Sequence, residues 1–139
     1  MNGKQLLLKV MVVEDAFIMR RTHRAAFEKM GMEVVEAMNG REALEKLGQT
    51  GPECFSLIML DLMMPEMNGK EFVKAARKTF GNKLPPLLVC SSKADVPEIK
   101  ELGSLGISGY MIKPVSYLAL QQKVNGILGM SAGGSTSKK

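Results

Sequence analysis

Five short apolar segments, each followed by a stretch with helical spacing, constrain the fold of this 139-residue chain more than any other feature. The first and third segments, residues 6–13 and 55–60, are almost continuously apolar. Runs of this kind are typical of strands buried on both faces, as in a parallel sheet. Strands that alternate with helices predict an α/β domain with helices on both faces of a five-stranded parallel sheet. We expect the first and third strands to be central.

The other predicted elements complete this alternation. Further strands are predicted at 33–37, 84–90 and 108–112, and helices at 16–30, 41–47, 70–80, 95–102 and 117–128. Gly31 and Gly48 are expected to end the first two helices, and Ser116 to cap the last one. Residues 131–139 (SAGGSTSKK) contain few apolar side chains. We therefore expect a folded domain over 1–130 and a disordered tail over 131–139.

Composition excludes several classes of protein. Hydrophobic residues make up 45% and charged residues 24%, as in an ordinary globular domain. No apolar run reaches the roughly 18 residues of a membrane span, and the N-terminus lacks the cleavage site of a secretory signal. Cys54 and Cys90 are too few for a disulfide framework, and we expect both to be structural thiols. A reducing, cytoplasmic location is expected.

The formal net charge of +5 raises the question of nucleic-acid binding. Lys138 and Lys139 contribute two of these charges from the polar tail, and the other basic residues are interleaved with glutamates. There is no block of five like charges and no tryptophan. The pattern predicts a mildly basic, solvated surface, with neither a nucleic acid nor a membrane as a direct partner.

Polar side chains follow four of the predicted strands at their carboxyl ends. Glu14 and Asp15 follow the first strand, and Asp61 follows the third. Ser91 follows the fourth, and Lys113 the fifth. These ends share one edge of a parallel sheet, where ligands bind in such folds. Two like charges about 4 Å apart repel by roughly 4 kcal/mol at an effective dielectric of ~20, so the three carboxylates need a cation.

The ligand types indicate which cation this would be. Carboxylate oxygens without cysteine or histidine are typical of a hard ion, Mg²⁺ or Mn²⁺. Lys113 and Ser91 add two donors for an anion, and such a set suits a phosphoryl group. Each residue alone has an ordinary explanation, because acids and serines after strands commonly form caps and turns. Their joint occurrence at one predicted edge favours a site.

Two other features receive structural interpretations. His23, the only histidine, lies on the polar side of the first predicted helix, and we expect it at the surface rather than in phosphotransfer. Most of the 12 methionines are expected to fill the core and loops, although Met63, Met64 and Met67 could form an adaptable contact surface.

The motifs at this edge resemble those of receiver (response-regulator) domains of two-component signalling, and most closely the chemotaxis-type single-domain regulators. The resemblance rests on VVED (12–15), LDLMMPEMNG (60–69), Ser91 and GYMIKP (109–114), and it extends from about residue 8 to residue 129. The intervals from Asp61 to Ser91 and to Lys113 also fit the family. The resemblance implies a flavodoxin-like (βα)5 fold, a doubly wound five-stranded parallel sheet with strand order 2-1-3-4-5.

The same resemblance implies a role for each residue of the site. Asp61 would be the phosphoacceptor, which attacks a phosphoryl group carried by a kinase histidine. Mg²⁺ (or Mn²⁺) would be held by Glu14, Asp15, Asp61 and the backbone carbonyl of Met63. Glu14 occupies a position where Asp is equally common in the family, and its longer side chain could reach the metal directly or through water.

Three further positions would sense the phosphoryl group. Lys113 would pair with one phosphoryl oxygen, the Ser91 hydroxyl would bond another, and Tyr110 matches the family's aromatic switch position. Ser91 stands where Thr is commoner, and it is freer about χ1, so its coupling to Tyr110 is expected to be looser.

The resemblance implies a phosphoryl-accepting switch and not a conventional enzyme. Its partners would be a sensor histidine kinase or a histidine phosphotransfer protein, and a downstream protein bound by the fourth helix, fifth strand and fifth helix. The chain would be a monomer or weak dimer. A hydrolase with an aspartyl nucleophile would carry an acid two residues after Asp61, where this chain has Met63. Two alternatives stay open: a receiver fragment of a larger transcription factor or hybrid kinase, and a pathway other than chemotaxis.

Overall fold

The computed structural model of the chain describes residues 7–92 and 96–130. Five strands and five helices alternate along these residues. The strands are β1 (Lys9–Val13), β2 (Glu33–Ala37), β3 (Leu57–Asp61), β4 (Leu87–Ser91) and β5 (Gly109–Ile112). The helices are α1 (Phe17–Lys29), α2 (Gly40–Thr50), α3 (Gly69–Phe80), α4 (Val96–Ser104) and α5 (Tyr117–Leu128). The predicted tail over 131–139 and the predicted helix start at Asp95 lie outside the described residues.

The strands form one parallel sheet in the order β2-β1-β3-β4-β5. β3 lies at the centre, and all five of its residues are buried. β1 pairs with both β2 and β3, and four of its five residues are buried. The predicted fold, the strand order and the central position of the first and third strands are therefore confirmed.

Alternate residues of each strand pack against opposite layers of helices, because strand side chains point to the two faces in turn. On one face, Met11 and Val13 of β1 belong to a cluster shared with α2, α3 and α4. On the other face, Val10 and Val12 belong to a cluster shared with α1 and α5. Burial of each side chain of this size stabilises the fold by roughly 1.5–3 kcal/mol, so the two clusters hold both helical layers on the sheet. None of the helices within residues 7–92 and 96–130 is both long and apolar enough to span a bilayer.

Several predicted boundaries are wrong by two residues or more: the fourth strand starts at Leu87 rather than at residue 84, and two further errors concern local turns. Helix α2 continues through Gly48 and ends at Thr50; Gly51 caps it, and its φ of 90° requires the backbone freedom of glycine. A single helical glycine such as Gly48 is tolerated at a cost of about 1 kcal/mol. The third strand starts at Leu57 rather than at residue 55, because Pro52–Cys54 form a short 3-10 turn before it.

Two side chains of helix α1 that were predicted to be exposed are buried. His23 is 4% exposed and Arg20 is 8% exposed, so both polar residues face the protein. Burial of Arg20 is offset by an ion pair with Glu36, whose Oε1 lies 2.7 Å from the arginine Nε. Burial lowers the pKa of His23 below its ordinary value, which favours the neutral imidazole. Cys90 is buried as expected, whereas Cys54 is exposed.

Candidate functional site

Three acidic side chains meet at the carboxyl edge of the sheet. Glu14 and Asp15 follow β1, and Asp61 is the last residue of β3. One carboxylate oxygen from each lies within 4.8 Å of the others. Glu14 and Asp61 are buried, while Asp15 is exposed. The meeting predicted from strand ends is therefore present, and one side of the cluster is open to solvent.

Lys113 provides the positive charge of this cluster. It follows β5, and its backbone N–H donates to the carbonyl of Ser91 at 2.7 Å. Its Nζ donates to Glu14 Oε1 at 2.8 Å and lies 3.3 Å from Asp61 Oδ1. Burial works to lower the pKa of Lys113, but the hydrogen bond to Glu14 and the charge of Asp61 raise it above its ordinary value. The amine is therefore charged, and it holds two of the three carboxylates.

The surroundings of Asp61 disfavour its ionised form. Burial is the largest influence and the charge of Glu14 the next, and together they raise the pKa of Asp61 from 3.8 to about 6. Lys113 and the backbone N–H of Met63, 3.4 Å from Asp61 Oδ1, act in the opposite direction. One lysine does not neutralise three acids, so the site carries excess negative charge.

The residues present fit a hard divalent cation. Three carboxylates converge, Lys113 offsets only one of their charges, and the described part of the cluster offers oxygen donors alone. In proteins, Mg²⁺ is usually bound by one or two carboxylates and keeps several waters. The exposed side of the cluster at Asp15 leaves room for the ion and its waters. Glu14 already accepts from Lys113 and from the Ala16 backbone N–H at 3.2 Å, so its carboxylate is the least available of the three.

The structure brings Ser91 to this edge and places Tyr110 on the neighbouring strand. Asp61 pairs with Cys90 across the β3–β4 ladder, so buried Ser91 lies one residue beyond the acid. Tyr110 pairs with Val89 and packs, half-buried, against the cluster under α2, α3 and α4. Their phosphoryl-sensing roles, like the metal role of the Met63 carbonyl, remain predictions.

The loop between β3 and α3 is held close to Asp61 by its own capping. The Asn68 side-chain oxygen accepts from the Glu71 backbone N–H at 2.9 Å. The Glu71 carboxylate in turn accepts from the Asn68 backbone N–H at 2.9 Å, and the two bonds form a capping box. Gly69 follows, and its N–H donates to the carbonyl of Leu62 at 2.8 Å. A Cβ at Gly69 would lie 2.8 Å from the Asp61 carbonyl oxygen and 2.8 Å from Leu62 Cα. The NG pair of the motif is therefore explained by packing.

We expect Gly69→Ala to lower the free energy of unfolding by about 2 kcal/mol, because backbone atoms cannot move aside as a flexible side chain can. The measurement is urea denaturation followed by circular dichroism. Gly48→Ala is the matched control, since a Cβ there meets nothing within 4 Å and the helix gains about 0.5–1 kcal/mol. Equal effects of the two substitutions would contradict the close approach at Gly69.

One residue beside the site escaped prediction from the sequence. Arg20 donates from Nη1 to the backbone carbonyl of Glu14 at 2.9 Å, in addition to its ion pair with Glu36. Its partners lie 6 and 16 residues away, on different elements. The helical pattern alone assigns Arg20 to the polar face, so no local signal identifies these contacts.

Comparisons with known proteins agree with this fold and this edge. A family model described as "Response regulator receiver domain" matches residues 10–125. Chemotaxis protein CheY1 of Helicobacter pylori is 32% identical over 123 residues, which cover 88% of this chain and 98% of that protein. A solved structure of chemotaxis protein CheY4 of Vibrio cholerae has a TM-score of 0.81 at 31% identity, covering 88% of this chain and all of the other. A response regulator receiver protein from Pseudomonas putida has a TM-score of 0.80 at 25% identity, covering 88% and 99% of the two chains.

Proposed function

Since this chain belongs to the response regulator receiver family, we propose that it is a signalling switch in which Asp61 accepts a phosphoryl group from a histidine. The donor would be a sensor histidine kinase or a histidine phosphotransfer protein. The observation that carries the proposal is the position of Asp61 at one open edge of the sheet, beside the acidic pair Glu14 and Asp15 and 3.3 Å from the Nζ of Lys113. Nucleophile, counter-charge and metal ligands are the parts that phosphoryl transfer to a carboxylate requires.

The proposed transfer is a substitution at phosphorus. A carboxylate oxygen of Asp61 forms the new bond to phosphorus while the bond from phosphorus to the donor histidine nitrogen breaks, and its electron pair stays with the imidazole. Lys113, which pairs with Asp61 before transfer, would pair with a phosphoryl oxygen afterwards. Mg²⁺ held by Glu14, Asp15, Asp61 and the Met63 carbonyl would supply positive charge that offsets the phosphoryl oxygens.

The site supports acceptance of a phosphoryl group rather than turnover of a substrate. Two residues after Asp61, where an aspartyl-nucleophile hydrolase carries a second acid, the exposed side chain is that of Met63. We therefore propose a switch whose only reaction after transfer is loss of its own phosphoryl group. The two free cysteines support a reducing, cytoplasmic location. Two of the three relatives described above are named as chemotaxis proteins, which favours a chemotaxis pathway.

The output surface is proposed to be the face formed by α4, β5 and α5. A groove of about 550 Å³ lies between β5 and α5, with Met111, Lys123 and Ile127 among its lining residues. Ile112 of β5 and Leu118 of α5 are about half exposed or more. Apolar side chains with one lysine, Lys123, fit a downstream protein segment that is amphipathic and carries an acidic residue. Tyr110 lies on the opposite face of β5, with the cluster under α2, α3 and α4, and would link the α4 side of this surface to events at Ser91.

Transfer from a purified, phosphorylated histidine kinase tests the proposal directly. The radiolabel should move from the kinase to this chain in the presence of Mg²⁺ and should be absent from the Asp61→Asn protein. A panel of kinases from the source organism also identifies the cognate donor, because the correct pair transfers fastest. Absence of label from every kinase and from a small phosphate donor would exclude the switch.

We expect Ser91→Ala to separate phosphorylation from its conformational response. The Ser91 hydroxyl is not part of the acid cluster, so the variant should reach the same final phosphate stoichiometry. Its response should be smaller, since the hydroxyl that a phosphoryl oxygen draws inward is absent. Chemical shifts of Tyr110 with and without phosphate measure that response. Ser92→Ala, at an exposed neighbour, is the control and should behave as wild type. A full response in Ser91→Ala would contradict the role of this hydroxyl.

A further inference from the structure

Arg20 connects the second strand to the acidic turn of the site. Its Nε donates to Glu36 Oε1 at 2.7 Å, and its Nη1 donates to the Glu14 carbonyl at 2.9 Å. The side chain is 9% exposed, so this is a buried bridge and not a solvated ion pair. A planar guanidinium can serve two acceptors at fixed angles, which a lysine amine cannot do as rigidly.

The Glu14 carbonyl lies before the first turn of the helix and has no place in its ladder. The helical bonding of α1 begins with the donation from the Arg20 N–H to the Ala16 carbonyl, at 2.8 Å. Buried carbonyls are almost always paired, and Arg20 provides the partner here. Arg20 therefore fixes the orientation of the peptide that joins Glu14 to Asp15.

Asp15 depends on that peptide for its position. Within residues 7–92 and 96–130, no hydrogen bond or ion pair of its own holds the Asp15 carboxylate, which is exposed. The other two acids of the cluster are each held by Lys113. The backbone keeps Asp15 close to Asp61, and Arg20 holds that backbone through its bond to the Glu14 carbonyl.

Glu36 is a firm anchor for Arg20, because it is shared by two other arginines. Arg24 Nη1 donates to Glu36 Oε2 at 2.7 Å, and Arg21 Nε lies 3.1 Å from the same oxygen. Burial works to raise the pKa of Glu36, but hydrogen bonds from Arg24 and Arg20 lower it below its ordinary value. The carboxylate is therefore charged whether or not a metal is present.

We infer that Arg20 is a positioning residue for divalent-cation binding, which acts by holding the Glu14–Asp15 peptide against β2. It touches neither the phosphoryl group nor the cation. The inference rests on the proposed function in one respect, that the acid cluster binds Mg²⁺. Residues that orient metal ligands typically change metal affinity by about 10–100-fold when they are replaced, so a large effect is expected without loss of a ligand.

The test is calorimetric titration of Mg²⁺ into EDTA-treated, dialysed protein. Arg20→Ala and Arg20→Lys are each expected to weaken binding about tenfold. Arg24→Ala is the matched control. Like the Arg20 substitution to alanine, it removes one positive charge and one hydrogen bond to the Glu36 carboxylate, but Arg24 does not bond the Glu14 carbonyl. This control should bind Mg²⁺ as wild type does, because Arg20 and Arg21 still pair with Glu36. Uptake of phosphate from acetyl phosphate in the Arg20 variants should need more Mg²⁺ but recover its rate at saturation.

The alternative explanations of Arg20 predict different results. If Arg20 acted only through its charge, Arg20→Ala would bind Mg²⁺ more tightly and Arg20→Lys would be unchanged. If it only stabilised the fold, the melting temperature would fall and the affinity of the folded protein would not. Either result overturns the inference. Should Arg20→Ala not fold, Arg20→Lys decides the question alone. A wild-type protein that binds no Mg²⁺ would instead refute the metal site of the proposed function.

Discussion

Asp61→Asn is expected to abolish covalent phosphate uptake from acetyl phosphate, and EDTA is expected to abolish it in the wild-type protein. The amide offers no nucleophilic oxygen comparable to a carboxylate. Without a divalent ion, three acids with a single lysine between them would repel the incoming phosphoryl oxygens. Intact-mass spectrometry reads the result, because each phosphoryl group adds a fixed mass to the chain.

The neighbouring substitutions should give graded losses. Asp15→Ala should nearly abolish uptake, since the most exposed metal ligand is lost. Lys113→Ala should slow uptake by about 100-fold, the usual effect of removing one group that stabilises developing charge. Glu66→Gln is the matched control: it removes a carboxylate from the loop after β3, but that carboxylate pairs with Arg41 at 3.2 Å and lies outside the cluster. Mass gain that persists in Asp61→Asn, or in EDTA, would remove the central claim.

The convergence of the site residues was predictable because it depends only on parallel strands. Once Asp61 and Lys113 each follow a strand, the sheet brings them to the same edge whatever the detailed packing. The geometry that holds Lys113 between Glu14 and Asp61 was not predictable in the same way. It depends on the strand order and on the path of the chain after β5, both of which are tertiary features.

The two errors in predicted exposure on helix α1 share one physical cause. A helical wheel gives the periodicity of a helix but not its rotation on the sheet, and α1 is rotated so that Arg20 and His23 are covered. Polarity predicted exposure for both. For Arg20 the prediction failed because a partner on β2, Glu36, compensates the buried charge. Compensation of this kind joins residues that are distant in sequence and leaves no local pattern.

The contribution of Asp61 to the stability of the metal-free protein is expected to fall as pH rises, because Asp61 is more easily protonated in the folded state than in the unfolded one. Its pKa is about 6 in the fold against 3.8 for the ordinary side chain. A raised acid pKa means that the folded state binds more protons, so the stabilisation is complete below about pH 4 and is lost as pH rises through about 6. The full difference corresponds to about 3 kcal/mol in the free energy of unfolding.

Asp61→Asn should remove this dependence. The amide is neutral at every pH and similar in shape to the protonated acid, so in EDTA the variant should exceed wild type by about 2–3 kcal/mol near pH 8 and match it near pH 4. Urea denaturation in EDTA at both pH values measures the difference. Other titrating groups, such as His23 and Glu36, are present in both proteins and cancel. Glu66→Gln should show no such pH-dependent gain. An Asp61→Asn protein less stable than wild type near pH 8 would contradict the clustered-carboxylate geometry.

Adding Mg²⁺ should remove most of the difference in stability between the two proteins near pH 8. The ion binds the folded state and not the unfolded one, and at about 100 times its dissociation constant it adds about 2.7 kcal/mol to the stability of the wild type. Asp61→Asn has lost one of the three converging carboxylates and should gain much less. The repulsion that destabilises the metal-free fold at Asp61 is thus the one that Mg²⁺ would relieve under the proposed function, because buried negative charge is relieved by a cation, by a proton or by Lys113. A metal-independent difference between the two proteins would show that Asp61 acts on the fold through packing alone.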